Sequence, residues 1–247
     1  HKEYRRQRQM CIRDSYSIVD AFNYAEEYQV PVLLLTDQGL ATRLEVIHRP
    51  DPASLNIVPR KTSAGIDRAD YKRYEYTDSG ISPMGIPGEP NGMYVATGIE
   101  HDEYGHPGYT PEIHLGMQSK RLGKLEPLRE TSRVATHGEA QPEDIAFIGF
   151  GSTFGPVREA VDRLAEQGLS VGAFYPRVLG PFPAGRVEEF AARAKRIIVP
   201  EVNYTGQLAR LIKAETNINE LESVAKCDGL PFTAEAIVDL AAQEVAA

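Results

Sequence analysis

Apolar residues recur along this chain with more than one spacing. Between Ser17 and Gln29 they fall at Ile18, Ala21, Phe22, Ala25 and Tyr28, the stripe of an amphipathic helix. Val30-Pro-Val-Leu-Leu-Leu35 follows without alternation, as in a short strand covered on both faces of a parallel sheet. It runs into Thr36-Asp-Gln-Gly39, polar residues where an α/β sheet presents its ligand-binding carboxyl edge. From about Gln141 the alternation becomes regular. Strands are predicted at 145–150, 169–175 and 196–200, and helices at 156–167, 183–194, 205–214 and 233–246. Pro156 would open the first of these helices, Gly168 would close it, and Thr233 would cap the last. Strands alternating with helices imply right-handed crossovers and one parallel sheet with helices on both faces. On that sheet the Gly151–Gly155 and Glu201–Gln207 turns share the carboxyl edge.

Between Arg49 and Arg129 the periodicity fades and prolines and glycines crowd together, from Pro50 to Gly92. One helix is predicted there, over Tyr109–Lys124, with Ile113, Met117 and Leu122 toward a core and Lys120, Arg121 and Lys124 near its end. A stretch this irregular reads as a connecting region with a function of its own. Residues 1–15 stand apart: five basic residues against two acidic ones, whereas the other 232 residues carry 22 basic against 33 acidic. Their RQRQMCIRDS run resembles translated linker sequence at the ends of gene fragments. They are therefore expected to be non-native and to add nothing to the fold, the alternative being a basic arm that contacts RNA or a partner. The divisions read from the sequence are 1–15, 16–48, 49–140 and 141–247.

Composition narrows the classes. Hydrophobic residues at 42% and charged residues at 25% are globular values. No apolar run approaches the roughly 20 residues of a bilayer span, so no membrane partner is expected. The net charge of −8 argues against nucleic acid. Cys11 and Cys227 are the only cysteines, too few for a disulfide framework, a zinc site or an iron–sulfur site within the chain. A reducing cytoplasm is the expected compartment.

Four segments carry candidate chemistry. Asp37 and Gln38 end the apolar run at a ligand-binding edge. Gly151, Ser152 and Thr153 sit between a strand and a helix N-terminus, a place that suits an anion and equally a tight structural turn. Glu100, His101, Asp102 and Glu103 head a dense polar stretch that runs to His106. Its spacing matches no recognised metal motif, so it reads as an ordering loop at an interface or active site. Glu201, Asn203 and Gln207 follow another strand and suit either ligand contact or helix capping. No nucleophile elbow or reactive-cysteine motif is present, and no metal-binding or catalytic residue is assigned.

Taken together, Ala25–Gln38, Gly80-Ile-Ser-Pro83, Ile86-Pro-Gly88, Thr97–Gly105, Lys120-Arg121, Ile148–Thr153, Gly180-Pro-Phe-Pro183 and Glu201–Gln207 resemble the α subunit of 2-oxoacid:ferredoxin oxidoreductases of the 2-oxoglutarate type. One departure is Met84, where members commonly carry Arg. The resemblance implies an α/β chain made of three parts: the end of a pyrimidine-binding (thiamine-diphosphate) domain, an irregular connector and a transketolase-C-terminal-like parallel α/β domain. It implies a complex using thiamine diphosphate and Mg²⁺ shared with a β subunit, and an iron–sulfur cluster held by that partner. CoA, a 2-oxoacid and ferredoxin would be its reactants. The cofactor-activating glutamate of such subunits finds no counterpart here, so the chain alone is expected to be inactive. Two other readings stay open: a nucleotide- or anion-binding α/β module, and a non-catalytic assembly domain.

Overall fold

The computed structural model describes residues 16–42, 44, 46, 51–67, 69, 71–90 and 92–242. The expectations for residues 1–15 and for the last turn of the C-terminal helix lie outside them. The described residues form two compact units. One gathers 35–46 with the chain from 128 onward, and the other gathers the residues up to 34 with 47–127.

The first unit is built on a five-stranded sheet. Its strands are β1 (Val134–Gly138), β2 (Ile145–Ile148), β3 (Val171–Pro176), β4 (Arg196–Glu201) and β5 (Glu222–Ala225), in the order β1-β3-β2-β4-β5. β2, β3 and β4 read as apolar runs because they are covered on both faces; every residue of β2 and β3 is buried. On one face, α5 (Phe154–Glu166) and α8 (Ala234–Ala242) bring Val157, Val161, Leu164 and Ile237 against Ile145, Phe147 and Ile198. On the other, α6 (Ala184–Ala191) and α7 (Gln207–Glu215) bring Val187, Phe190, Leu208 and Ile212 against Ala146, Ile148, Phe174 and Val199. The expected two-faced α/β layering is therefore present.

Several local expectations need correction. β1 runs antiparallel to β3, so the sheet is not wholly parallel. Only three of its five strands were predicted, because short, half-exposed edge strands such as Val-Ala-Thr-His-Gly and Glu-Ser-Val-Ala carry a weak apolar signal. Pro156 lies in the third position of α5, behind a 3₁₀ turn over Gly151–Thr153. Val30–Leu35 forms no strand. Leu33, Leu34 and Leu35 are 84%, 51% and 75% exposed, since a strand needs a ladder partner and none pairs with them among the described residues.

The second unit begins with α1, residues 16–28, and contains α3 (Pro111–Gly123); α2 is the single turn Gln38–Ala41 of the other unit, and α4 is the short helix Glu126–Thr131. Thr110 caps α3, accepting the Ile113 N–H. Met117 is buried as expected, whereas Leu122 is 64% exposed. The irregular chain from 51 to 110 is fixed by side chains bonding backbone rather than by ladders. Asn23 donates to Asn56 O and accepts from Val58 N–H. Tyr71 donates to Pro83 O and accepts from Gly85 N–H. Buried backbone that makes no ladder must find such partners.

Candidate functional site

The polar stretch from Glu100 is a tight loop that closes on itself. The Gly108 N–H bonds Glu100 O, the Asp102 N–H bonds His106 O, and His101 bridges Pro107. Gly105, at φ +90°, lies where a Cβ would come 2.0 Å from Val95 O, so only glycine fits. Each carboxylate has a partner. Glu100 accepts from Arg121 Nη2 at 2.8 Å and pairs with His114 Nδ1 at 2.7 Å. These two partners hold its carboxyl below the usual range, His114 contributing most. Asp102 Oδ1 accepts the Tyr104 and His106 N–H groups. Glu103 accepts from Lys72 Nζ and the Tyr76 N–H.

His101 is 7% exposed and packs against Tyr74, with ring centroids 4.1 Å apart and ring planes tilted by 43°. Its Nδ1 lies 2.9 Å from Asp102 O; a carbonyl only accepts, so Nδ1 carries the proton. An open depression of about 350 Å³ is lined by Thr97, Gly98, Ile99, Glu100, His101 and Arg121. Glu100 and His101 therefore share a concavity, while Asp102 and Glu103 do not line it. No group of His, Cys, Asp or Glu among the described residues is arranged to hold a metal ion.

Arg121 and its neighbour Lys120 stood out in sequence as basic residues near the end of the predicted helix and as part of the resemblance; the structure gives each a task. Lys120 Nζ donates to Glu75 O, Gly80 O and Ser82 Oγ at 2.7, 2.7 and 2.5 Å, using all three of its protons. It thereby fastens the Gly80-Ile-Ser-Pro loop to α3. Burial, followed by Lys124 and Arg73, pushes its pKa down to about 8. Lys124 donates to Gln29 O, and Arg73 donates to Gln29 Oε1. Arg73 itself lies over the Tyr74 and Tyr94 rings. A basic pair at a helix end beside a Gly/Pro loop was the available signal, but a sequence does not say which carbonyls a lysine will meet.

In the sheet-bearing unit, the two predicted turns follow the adjacent parallel strands β2 and β4 and share their carboxyl edge. Asp37 Oδ2 accepts the Ser152 N–H at 2.7 Å, so a carboxylate of the chain itself occupies the anion position there. Gly151, at φ +60°, would place a Cβ 2.6 Å from that oxygen. Thr153 is buried and donates to Phe150 O. Gln38 opens α2 and is exposed. Glu201, 0% exposed, accepts from the Leu208 and Ala209 N–H groups and from Asn203 Nδ2 at 2.7–3.0 Å. Asn203 Oδ1 in turn accepts the Gly206 N–H at 2.8 Å and the Gln207 N–H at 3.4 Å. Both residues cap α7, satisfying its orphan donors.

Comparison with known proteins bears on both units. Residues 143–237 match the family described as pyruvate:ferredoxin oxidoreductase core domain II. The α subunit of 2-oxoacid:ferredoxin oxidoreductase 2 from Aeropyrum pernix is 36% identical over 225 residues, covering 88% of this chain and 34% of that protein. The 2-oxoglutarate synthase subunit KorA of Methanocaldococcus jannaschii is 31% identical, covering 74% of this chain and 48% of its own length. Among solved structures, a 2-oxoglutarate:ferredoxin oxidoreductase from Magnetococcus marinus with 2-oxoglutarate, coenzyme A and succinyl-CoA bound is 45% identical, with a TM-score of 0.82. That match covers 88% of this chain and 38% of the neighbour. The chain thus spans between about a third and a half of the length of these relatives. It belongs to the 2-oxoacid:ferredoxin oxidoreductase family, on the α-subunit side.

Proposed function

We propose that this chain is part of the α subunit of a 2-oxoglutarate:ferredoxin oxidoreductase. The reaction converts 2-oxoglutarate, CoA and two oxidised ferredoxins to succinyl-CoA, CO₂, two reduced ferredoxins and a proton. The observation that carries the reading is the likeness to the Magnetococcus enzyme across 88% of the chain. In this reading residues 16–48 end a pyrimidine-binding domain, 49–140 connect, and 141–247 form the transketolase-C-terminal-like domain.

Thiamine diphosphate, when bound, supplies the electron sink for decarboxylation. Its diphosphate and Mg²⁺ are assigned to a β subunit. The iron–sulfur cluster is assigned there too; the two cysteines of this chain cannot by themselves furnish the four thiolates that a cluster takes. What this chain's residues do is hold shape. Lys120 fixes the Gly80 loop, Glu100 orients Arg121 at the depression, and Asp37 and Glu201 seat helices on the sheet's carboxyl edge. Asp37, Gln38 and the Glu100–Glu103 loop remain the candidates for active-site or subunit contact. The exposed, free thiol of Cys227 suits a reducing cytoplasm.

The test is co-expression of the full-length α subunit with its β subunit. CoA-dependent ferredoxin reduction by 2-oxoglutarate is expected from the complex, with none from this chain alone. Turnover by the isolated chain, or a complex silent toward every 2-oxoacid, would refute the assignment.

A further inference from the structure

We infer that the depression lined by Thr97, Glu100, His101 and Arg121 binds a phosphate monoester. The cavity is a physical concavity of about 350 Å³, and three kinds of group converge on it. Arg121 spends Nη2 on Glu100, which fixes the plane of its guanidinium fork while leaving other N–H donors for an oxyanion. Thr97 brings a hydroxyl. His101, more than nine-tenths buried, has Nδ1 committed to Asp102 O, so Nε2 is the ring atom left for a ligand, and no described residue hydrogen-bonds it.

The surrounding charge favours an anion. The three carboxylates of the loop are each engaged, as described above. Other cations of this unit are not matched in the same way: Arg73, Lys120 and Lys124 hydrogen-bond only carbonyl and hydroxyl oxygens, of Gln29, Glu75, Gly80 and Ser82, and Lys124 lies close enough to Arg121 and Arg73 to feel both charges. Arg73 lies against Tyr74, which also packs against His101, and Arg73 Nε is buried without an acceptor. Partly buried like charges raise one another's cost: burial first, then Lys124 and Arg73, depress the Lys120 pKa, and Glu75 only partly offsets them. An anion in the depression would relieve that cost.

Phosphate fits better than carboxylate. Its second pKa is about 6, so near neutrality it presents either O–H or O⁻ to Nε2 and suits both protonation states of the imidazole. An ionised carboxylate has no proton to give. The phosphate could be the 3′-phosphate of CoA or a separate small phosphate, and the first case alone rests on the enzymatic reading.

The experiment titrates this chain with inorganic phosphate, CoA, dephospho-CoA and 2-oxoglutarate, following the His101 ring and Arg121 Nε resonances by NMR. Saturable shifts with inorganic phosphate are expected, weakened about tenfold in Arg121→Lys and in Thr97→Val by the loss of one charge-assisted or hydroxyl contact. CoA binding tenfold tighter than dephospho-CoA would assign the phosphate to CoA; equal binding of the two would assign it to a separate phosphate. Linear, non-saturating shifts would overturn the proposal, as would unchanged binding in both variants or tighter saturation by 2-oxoglutarate. If the α–β complex proves inactive while phosphate still saturates these resonances, the site stands and only the enzymatic reading fails.

Discussion

At the scale of single residues, two buried polar groups lead to sharp expectations. Glu201 is fully buried and answers three donors at the start of α7. Glu201→Ala would strand them, lowering the unfolding free energy by about 3 kcal/mol, and Glu201→Gln, which keeps one acceptor, should cost less. Urea titration followed by circular dichroism measures both. Lys120 makes a pH prediction. Its folded pKa of about 8 lies below its ordinary 10.5, so between those values the unfolded chain holds more protons. Stability therefore rises with pH across that window relative to a chain without the group. Wild type should gain on Lys120→Met as pH climbs from 8 to 10.5; parallel stability curves would contradict the burial of this ammonium.

At the scale of elements, helices here are seated by side chains distant in sequence. Asp37 bonds Ser152 N–H from 115 positions away. Asp37→Ala should cost about 1 kcal/mol, the usual value of a lost cap, with Asp37→Asn recovering much of it; thermal unfolding of the two variants is the check. The Gly80 loop rests on α3 so closely that a Cβ would lie 2.9 Å from Lys120 O, and its φ is +68°. Gly80→Ala is therefore expected to cost about 2 kcal/mol and to loosen the loop, read as faster amide exchange over residues 77–84.

At the scale of the whole molecule, the two units obey different physics. The sheet-bearing unit is held by apolar burial on two faces of a sheet; the other is held largely by polar side chains that answer irregular backbone. Neutralising Glu100 and Asp102 together, as Glu100→Gln with Asp102→Asn, should release Arg121 and His114 and unpin the 102–106 turn. In the assembled α–β enzyme this should cut activity or assembly about tenfold or more, well beyond a surface change. Wild-type turnover and assembly would reduce the loop to solvated surface.

The amino-acid order alone determined the parallel core of the C-terminal unit, α3, the shared edge of the two turns and the family. These rest on local apolar period, turn chemistry and combined motifs, all of which are written in neighbouring residues. Tertiary structure decided what lies across the chain. It left Leu33–Leu35 without a ladder partner, turned an edge strand antiparallel, and filled the Ser152 anion position with Asp37. It turned Glu201 and Asn203 into caps, and it brought Arg121 to Glu100 and His101. A hydrogen bond between residues tens of positions apart leaves no periodic trace, so only the folded backbone could reveal those pairs.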